Sequence, residues 1–315
     1  MYVVTGGAGF IGSNLVKGLN RHGFTNIIVV DDLTDGTKFK NLVDCQILDY
    51  VDKDEFISKF QANKFNDPIE AIFHQGACST TTEWDGRFMM ENNYEYSKKI
   101  LHQCLDNQIP FIYASSAAVY GLTNKFEETP AHESPLNVYG YSKLQFDRYV
   151  RGFLHQTKSQ VVGLRYFNVF GPGESHKGTM ASVVYHFYHQ LKKQGSVNLF
   201  EGTNGYENGE QRRDFIFVED IVKANLWFLE QEAISGIYNA GTGESRSFND
   251  VARAVVNFFG KGQINYIPFP EHLRGCYQNF TQADLTQLKS QGYNLPFTSL
   301  EQGVKQYLHH LDKHE

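Results

Sequence analysis

At 315 residues the chain is long enough for one large α/β domain with a smaller second lobe, and its 41% hydrophobic content suits a packed globular core. A formal net charge of −6 argues against a nucleic-acid footprint, and no apolar stretch reaches membrane-spanning length. Cys45, Cys78, Cys104 and Cys276 form neither a CxxC pair nor a metal-ligand spacing. They read as small buried hydrophobes, no metal is expected, and the start of the chain lacks a secretory pattern, so the expected setting is reducing and cytoplasmic.

In chain order, strand-length apolar runs alternate with amphipathic helical ones. Tyr2 to Thr5, Ile27 to Val30, Ala71 to His74 and Phe111 to Ala114 read as strands buried on both faces, and Phe10 to Arg21 and Tyr94 to Asn107 as helices. Asn137 to Leu154 follows as one long helix and Val161 to Tyr166 as a further strand. Gly, Asn and Glu crowd Gly202 to Glu210, which reads as an exposed loop. Then come a strand from Asp214 to Val218, a helix from Asp220 to Glu230, a strand and turn from Gly236 to Gly243, and a helix beginning near Asn249. Such alternation predicts a Rossmann-type doubly wound parallel sheet, with a smaller and discontinuous α/β lobe. The expected division is residues 1–167 for a dinucleotide-binding domain, rejoined by segments near 214–243, and 168–315 for the lobe.

The turn Gly6-Gly7-Ala8-Gly9-Phe10-Ile11-Gly12 lies between the first strand and the first helix. A pyrophosphate needs such a turn, because a Cβ would block close backbone approach and a helix N-terminus offers free N–H groups. Gly6, Gly9, Phe10, Ile11 and Gly12 are therefore expected cofactor contacts. Asp31 and Asp32 end the second strand about 20 residues later, where an acid bonds an adenosine ribose. That favours NAD, whereas Lys38 offers a cation for the 2′-phosphate of NADP, so both cofactors stay open at this point.

Tyr139 and Lys143 stand four apart, on one helix face. A phenol of pKa ~10 is a poor base at neutral pH, and a neighbouring ammonium is expected to lower that value. Ser116, just after the fourth strand, is placed to hydrogen-bond the reacting oxygen. YxxxK recurs by chance on surface helices; the glycine turn upstream and the serine between them make this copy chemical. Tyr141 is the competing phenol, but its spacing puts it on a different face from Lys143.

Together these residues resemble the extended short-chain dehydrogenase/reductase family, whose marks recur as TGGAGFIG, SSAAVYG, YGYSK, RYFNVFGP and RDFIFVEDI. DDLTDGTKFKNLVD, HQGACSTTTEWDG, ENNYEYSK, GPGESHKGTMAS and FTQADL are similar to its branch that epimerises C6 of an ADP-linked glycero-manno-heptose for the lipopolysaccharide core. The resemblance implies a tightly held NADP that takes hydride from C6 and returns it to the other face of a transient aldehyde. It implies acid/base roles for Tyr139 on one side and Lys177 on the other, with Ser116 and Lys143 assisting. Cofactor contacts carried over on matching positions add Asp31, Asp32, Lys38, Lys53, Gln75, Gly76, Ala77, Cys78, Ser79, Asn92, Lys143, Val169 and Lys177. Substrate contacts fall on Ser116, Asn168, Thr179, His186, Phe200, Glu201, Gly202, Thr203, Arg213 and Tyr277, and a homo-oligomer, commonly a pentamer, is implied.

Asp32 departs from an Asn common in the family, which adds negative charge beside a 2′-phosphate. Because the loop from Gly205 to Gln211 is long, Arg212 competes with Arg213 for the diphosphate. A dehydratase would need an acid/base pair after Ser116, where this chain has Ala117 and Ala118. A UDP-hexose 4-epimerase is the nearer alternative; a non-catalytic dinucleotide sensor would have no use for Ser116, Tyr139 and Lys143 together.

Overall fold

The computed structural model describes residues 1–271 and 277–314; Cys276 lies outside them. Seven parallel strands form the main sheet: β1 (Tyr2–Thr5), β2 (Ile27–Asp31), β3 (Asp49–Asp52), β4 (Ala71–His74), β5 (Phe111–Ser116), β6 (Val161–Tyr166) and β11 (Gly236–Ala240). Their spatial order is β11-β6-β5-β4-β1-β2-β3. The order therefore reverses between β1 and β4, and a crevice opens beyond their C-terminal ends, where Gly6 and Gly76 follow.

The period-two alternation of the strands sorts two cores. Tyr2, Val4, Ile27, Val29 and Phe73 face one side, against Leu15, Leu19, Ile221 and Val222 of helices α1 (Phe10–Arg21) and α7 (Val218–Leu229). Val3, Ile28, Val30, Ile72 and Phe111 face the other, against α2 (Lys53–Gln61), α4 (Tyr96–Asn107) and α5 (Val138–Arg151). A third cluster packs α6 (Val183–Gln194), α8 (Phe248–Phe259) and α10 (Leu300–His314) against two of three short two-stranded sheets. Those two pair β7 (Asn168–Phe170) with β10 (Phe215–Phe217) and β8 (Ser196–Phe200) with β13 (Gln263–Ile267); the third pairs β9 (Arg212–Arg213) with β12 (Arg246–Ser247).

Several boundaries differ from the sequence reading. Strand β3 and helix α2 went unread: β3 is an edge strand in which Val51 alone is buried, so it carries no alternation. The expected helix from Tyr94 starts at Tyr96, behind a short helix α3 (Gly86–Met90) and a π-helical turn, Glu91–Glu95. Asn137 proves to be the cap of α5, its Oδ1 accepting from Gly140 N at 2.8 Å. Asp214 stands outside its strand because its fully buried carboxylate is an anchor. It accepts from Thr242 N and Oγ1 at 2.8 and 2.7 Å, Gly243 N at 2.9 Å and Ala283 N at 3.0 Å. Among the described cysteines the expected burial holds for Cys104, whereas Cys45 and Cys78 are half-buried. Among the described residues no helix is long and apolar enough to cross a membrane.

Candidate active site

The glycine turn is a cradle that side chains would fill. Gly6 takes φ +64°, and a Cβ there would stand 2.6 Å from the backbone of Gly76. A Cβ on Gly12 would stand 2.1 Å from Gly6 O. Gly9 caps α1 with no side chain, so the first-turn amides, Phe10 and Ile11 among them, meet no side-chain acceptor. A diphosphate fits this free donor set, and with it a dinucleotide cofactor.

At the end of β2 the two acids divide. Asp31 is buried and committed, accepting from Ala8 N at 2.8 Å, Asp32 N at 2.7 Å and Lys38 Nζ at 2.7 Å. Asp32 is the more open one. Hydrogen bonds from the Thr34 hydroxyl and amide hold its carboxyl below the usual range, helped by the charges of Lys38 and Lys53. Lys53 starts α2 and pairs with Asp54 at 2.9 Å. On the facing loop, Gln75 is fixed by Tyr166 and Asn225, and the Gly76 amide donates to Thr5 Oγ1. Ala77 and Ser79 are exposed and Cys78 is half-buried. Asn92, named in the sequence, spends its side-chain amide on Phe88 O. Its neighbour Asn93, inside the π-helical turn, was missed. It clasps both backbone groups of Cys78 and reaches Ser142 of α5 at 3.1 Å. Half-buried Val169 sits in register with Ile216.

Ser116 ends β5, and α5 carries Tyr139 and Lys143 past it. Lys143 is 5% exposed, with Nζ donating to Ala114 O at 2.8 Å; burial pushes its pKa down to about 8, against an upward pull from Asp147. Tyr141 is 45% exposed and points elsewhere. The expectation that the ammonium lowers the phenol is corrected here. Burial raises the pKa of Tyr139, and the opposing influence is its hydrogen bond with Ser116. Beneath this pair, Asp147 accepts from Tyr113 OH and Ser115 Oγ, both at 2.9 Å. Neither Asp147 nor its partner Arg165 was read from the sequence, because a buried ion pair leaves no local pattern.

Lys177 lies in a 3-10 segment, Ser175–Met180, with Nζ 5.3 Å from the centre of the Phe10 ring at the head of α1. Burial lowers its pKa, opposed by Glu174. The segment thus brings a second ammonium to the dinucleotide turn. Thr179 is exposed and its carbonyl lies 3.3 Å from His186 Nε2. Asn168, also exposed, heads β7.

The remaining substrate candidates form a chain of rings. Phe200 packs edge-on against Phe269 at 5.5 Å, Phe269 against Tyr277 at 5.3 Å, and the Arg213 guanidinium lies over Tyr277 at 4.9 Å. Glu201, Gly202 and Thr203 follow Phe200, with Gly202 N donating to Asn208 Oδ1 at 2.9 Å. Arg212 turns away from this chain of rings and bonds Ser245 through Nε at 3.1 Å. A cavity of about 240 Å³ opens there, lined by Gly121, Thr123, Asn204, Tyr277 and Gln278.

Comparison with known proteins agrees with this geometry. ADP-L-glycero-D-manno-heptose-6-epimerase of Alkalilimnicola ehrlichii is 61% identical over 98% of this chain and 96% of its own. The crystal structure of the Helicobacter pylori protein of that name superposes with a TM-score of 0.86 at 33% identity, covering 99% of this chain and 96% of the other. A UDP-glucose 4-epimerase of Thermotoga maritima, solved with UDP-glucose, gives 0.81 at 28% identity over 99% and 98% of the two chains. Residues 2–241 match the NAD dependent epimerase/dehydratase family, and the chain belongs to it.

Proposed function

We propose that the protein inverts C6 of ADP-D-glycero-D-manno-heptose, giving the L-glycero epimer, with NADP as its resident cofactor. Support for the substrate comes from 61% identity to a heptose epimerase over nearly both full lengths. The chemistry is supported by Tyr139 hydrogen-bonded with Ser116 at the end of β5, and by Lys177 beside Phe10 at the dinucleotide turn. A bound nicotinamide supplies hydride acceptance and return.

In this reading Tyr139 takes the C6 hydroxyl proton as the carbon is oxidised, with Ser116 steadying the oxygen. Rotation of the resulting aldehyde presents its oxygen to Lys177, which donates the proton as hydride returns to the opposite face. Lys143 would hold the nicotinamide ribose. Arg213 clasps the diphosphate through its bidentate fork while Tyr277, Thr203 and Asn204 border the nucleotide. Asn168, Thr179 and His186 complete the sugar side. Lys38 and Lys53 flank Asp32 and favour the 2′-phosphate of NADP over NAD. A cytoplasmic homo-oligomer belongs to the same reading, and light scattering tests the assembly.

The test is to incubate the protein as purified with ADP-D-glycero-D-manno-heptose, without added cofactor, and follow C6 inversion by NMR. Absence of turnover with the dinucleotide still bound counts against the reading. Turnover of UDP-galactose instead would favour a 4-epimerase.

A further inference from the structure

Two asparagines stitch the dinucleotide turn to the loop that carries Lys177. Asn14, on α1, is 5% exposed; its Nδ2 lies 2.8 Å from Phe10 O and 2.8 Å from Pro172 O. Asn41, which ends the 3-10 turn Gly36–Asn41, is 8% exposed; its Nδ2 lies 3.0 Å from Ala8 O and 3.1 Å from Gly173 O. These four neighbours are carbonyl oxygens, which only accept; Asn41 Nδ2 also lies 3.4 Å from His176 Nδ1, beside Lys177. An amide NH2 group has two hydrogens, so each asparagine gives one to the turn and one to the Pro172–Gly173 segment. Gly173 takes φ +94°, and a Cβ there would stand 3.4 Å from Asn14 Nδ2 and 3.4 Å from Asn41 Oδ1. The backbone thus approaches both amides closely.

The far end of the loop is closed as well. The buried carboxylate of Glu174 accepts from Ser182 N and Ser182 Oγ, each at 2.6 Å, and Ser182 caps α6. Residues 175–181 are thereby gathered into a short arch with Lys177 near its middle. A long lysine side chain on a loop is a poorly defined acid unless its base is fixed. Here the fixing points on one side are carbonyls of the cofactor turn itself. The Phe10 carbonyl that accepts from Asn14 shares its peptide unit with the Ile11 amide, one of the free donors of the cradle.

We propose that Asn14 and Asn41 are positioning residues that hold Lys177 in register with the dinucleotide turn, and so with the second face of the reacting carbon. The inference rests on the two-group reading above. Because that reading gives each C6 epimer its own proton acceptor, a displaced Lys177 impairs one epimer and spares the other.

The experiment mixes the protein as purified with each C6 epimer separately and follows the absorbance of reduced nicotinamide in a single turnover. Lys177→Met identifies the epimer that depends on the lysine. Asn14→Ala, Asn41→Ala and the isosteric Asn41→Asp, which lacks the NH2 donor, are then compared. Each is expected to slow oxidation of that same epimer about tenfold to a hundredfold and to leave the other within about twofold. The unaffected epimer certifies that the variant is folded and loaded; should an alanine variant fail to fold, Asn14→Ser and Asn41→Ser give the same readout. Hydrogen exchange at residues 174–180 is expected to quicken in the same variants, while β1 and β5 stay protected. Equal slowing of both epimers, or of neither, overturns the proposal. If Lys177→Met slows one epimer and the asparagine variants do not, the positioning role alone falls. If Lys177→Met slows neither, the acid/base reading of Lys177 falls with it.

Discussion

Arg165 Nε lies 2.9 Å from Asp147 Oδ2, and neither side chain has any exposed surface. The same guanidinium bonds Glu133 and donates to Tyr120 OH at 3.0 Å, so the pair links β6, α5 and the segment after β5. Removing one partner leaves charge unpaired in a dry interior. Arg165→Met, which leaves Asp147 without its cation while Glu133 keeps Arg151, is expected to cost about 3–5 kcal/mol of stability in urea unfolding. A loss below about 1 kcal/mol would mean the network is worth little to the fold.

Tyr139→Phe deletes the proposed proton acceptor without changing ring packing. Epimerisation is expected to fall by about 10²–10⁴ while the bound dinucleotide is retained. Ser116→Ala is the finer probe. Its hydroxyl holds the Tyr139 pKa down against burial, so its loss should move the activity-controlling ionisation to higher pH. A pH–rate profile of the alanine variant superposing on that of the parent protein would remove Ser116 from this role.

His74 is buried among hydroxyls. Its Nδ1 lies 2.6 Å from Thr5 Oγ1, and its Nε2 lies 2.7 Å from Ser97 Oγ, whose own hydrogen goes to Asn93 O. A neutral ring satisfies this chain, and burial pushes the His74 pKa down to about 3, reinforced by the nearby charge of Lys143. The folded pKa is depressed, so between the ordinary histidine value and about 3 the unfolded chain holds the extra proton. Stability is complete above that window and falls as pH drops through it, by up to about 5 kcal/mol. Denaturant midpoints between pH 7 and 4 should show the slope, and His74→Gln should flatten it.

Lys38 and Lys53 are the two cations whose charge reaches Asp32. If they select the 2′-phosphate, Lys38→Ala should lower the NADP content of purified protein in favour of NAD. Mass spectrometry of the released dinucleotide reads the ratio directly. Lys38 also bonds Asp31, so the content of total cofactor must be scored separately from its identity.

The main sheet was legible because its strands are apolar on both faces and its helices amphipathic; β1, β4 and β6 fall on the expected residues. Edge strand β3, half exposed, gave no such signal. The glycine turn, Ser116, Tyr139 and Lys143 were legible from spacing, since helix geometry and backbone approach dictate it. What escaped was the buried polar support: Asn93, Asp147, Arg165, Glu174 and Asp214. These residues act through partners far away in sequence, such as Asn93 with Ser142 and Asp214 with Ala283. Arg212 and Arg213 differ in their surroundings, because β9 turns adjacent side chains to opposite faces: Ser245 takes the first, and the Tyr277 ring lies under the second.

Asp214 has a consequence for how the molecule comes apart. Its carboxylate gathers the stretch after β9, the turn after β11 and the chain approaching α9 (Thr286–Ser290), three threads that run between the sheet and the outer helices. A single knot on all three threads couples the outer layer to the sheet. The separate hydrophobic clusters should therefore be lost in one cooperative transition, and cutting the knot with Asp214→Ala should split that transition in two.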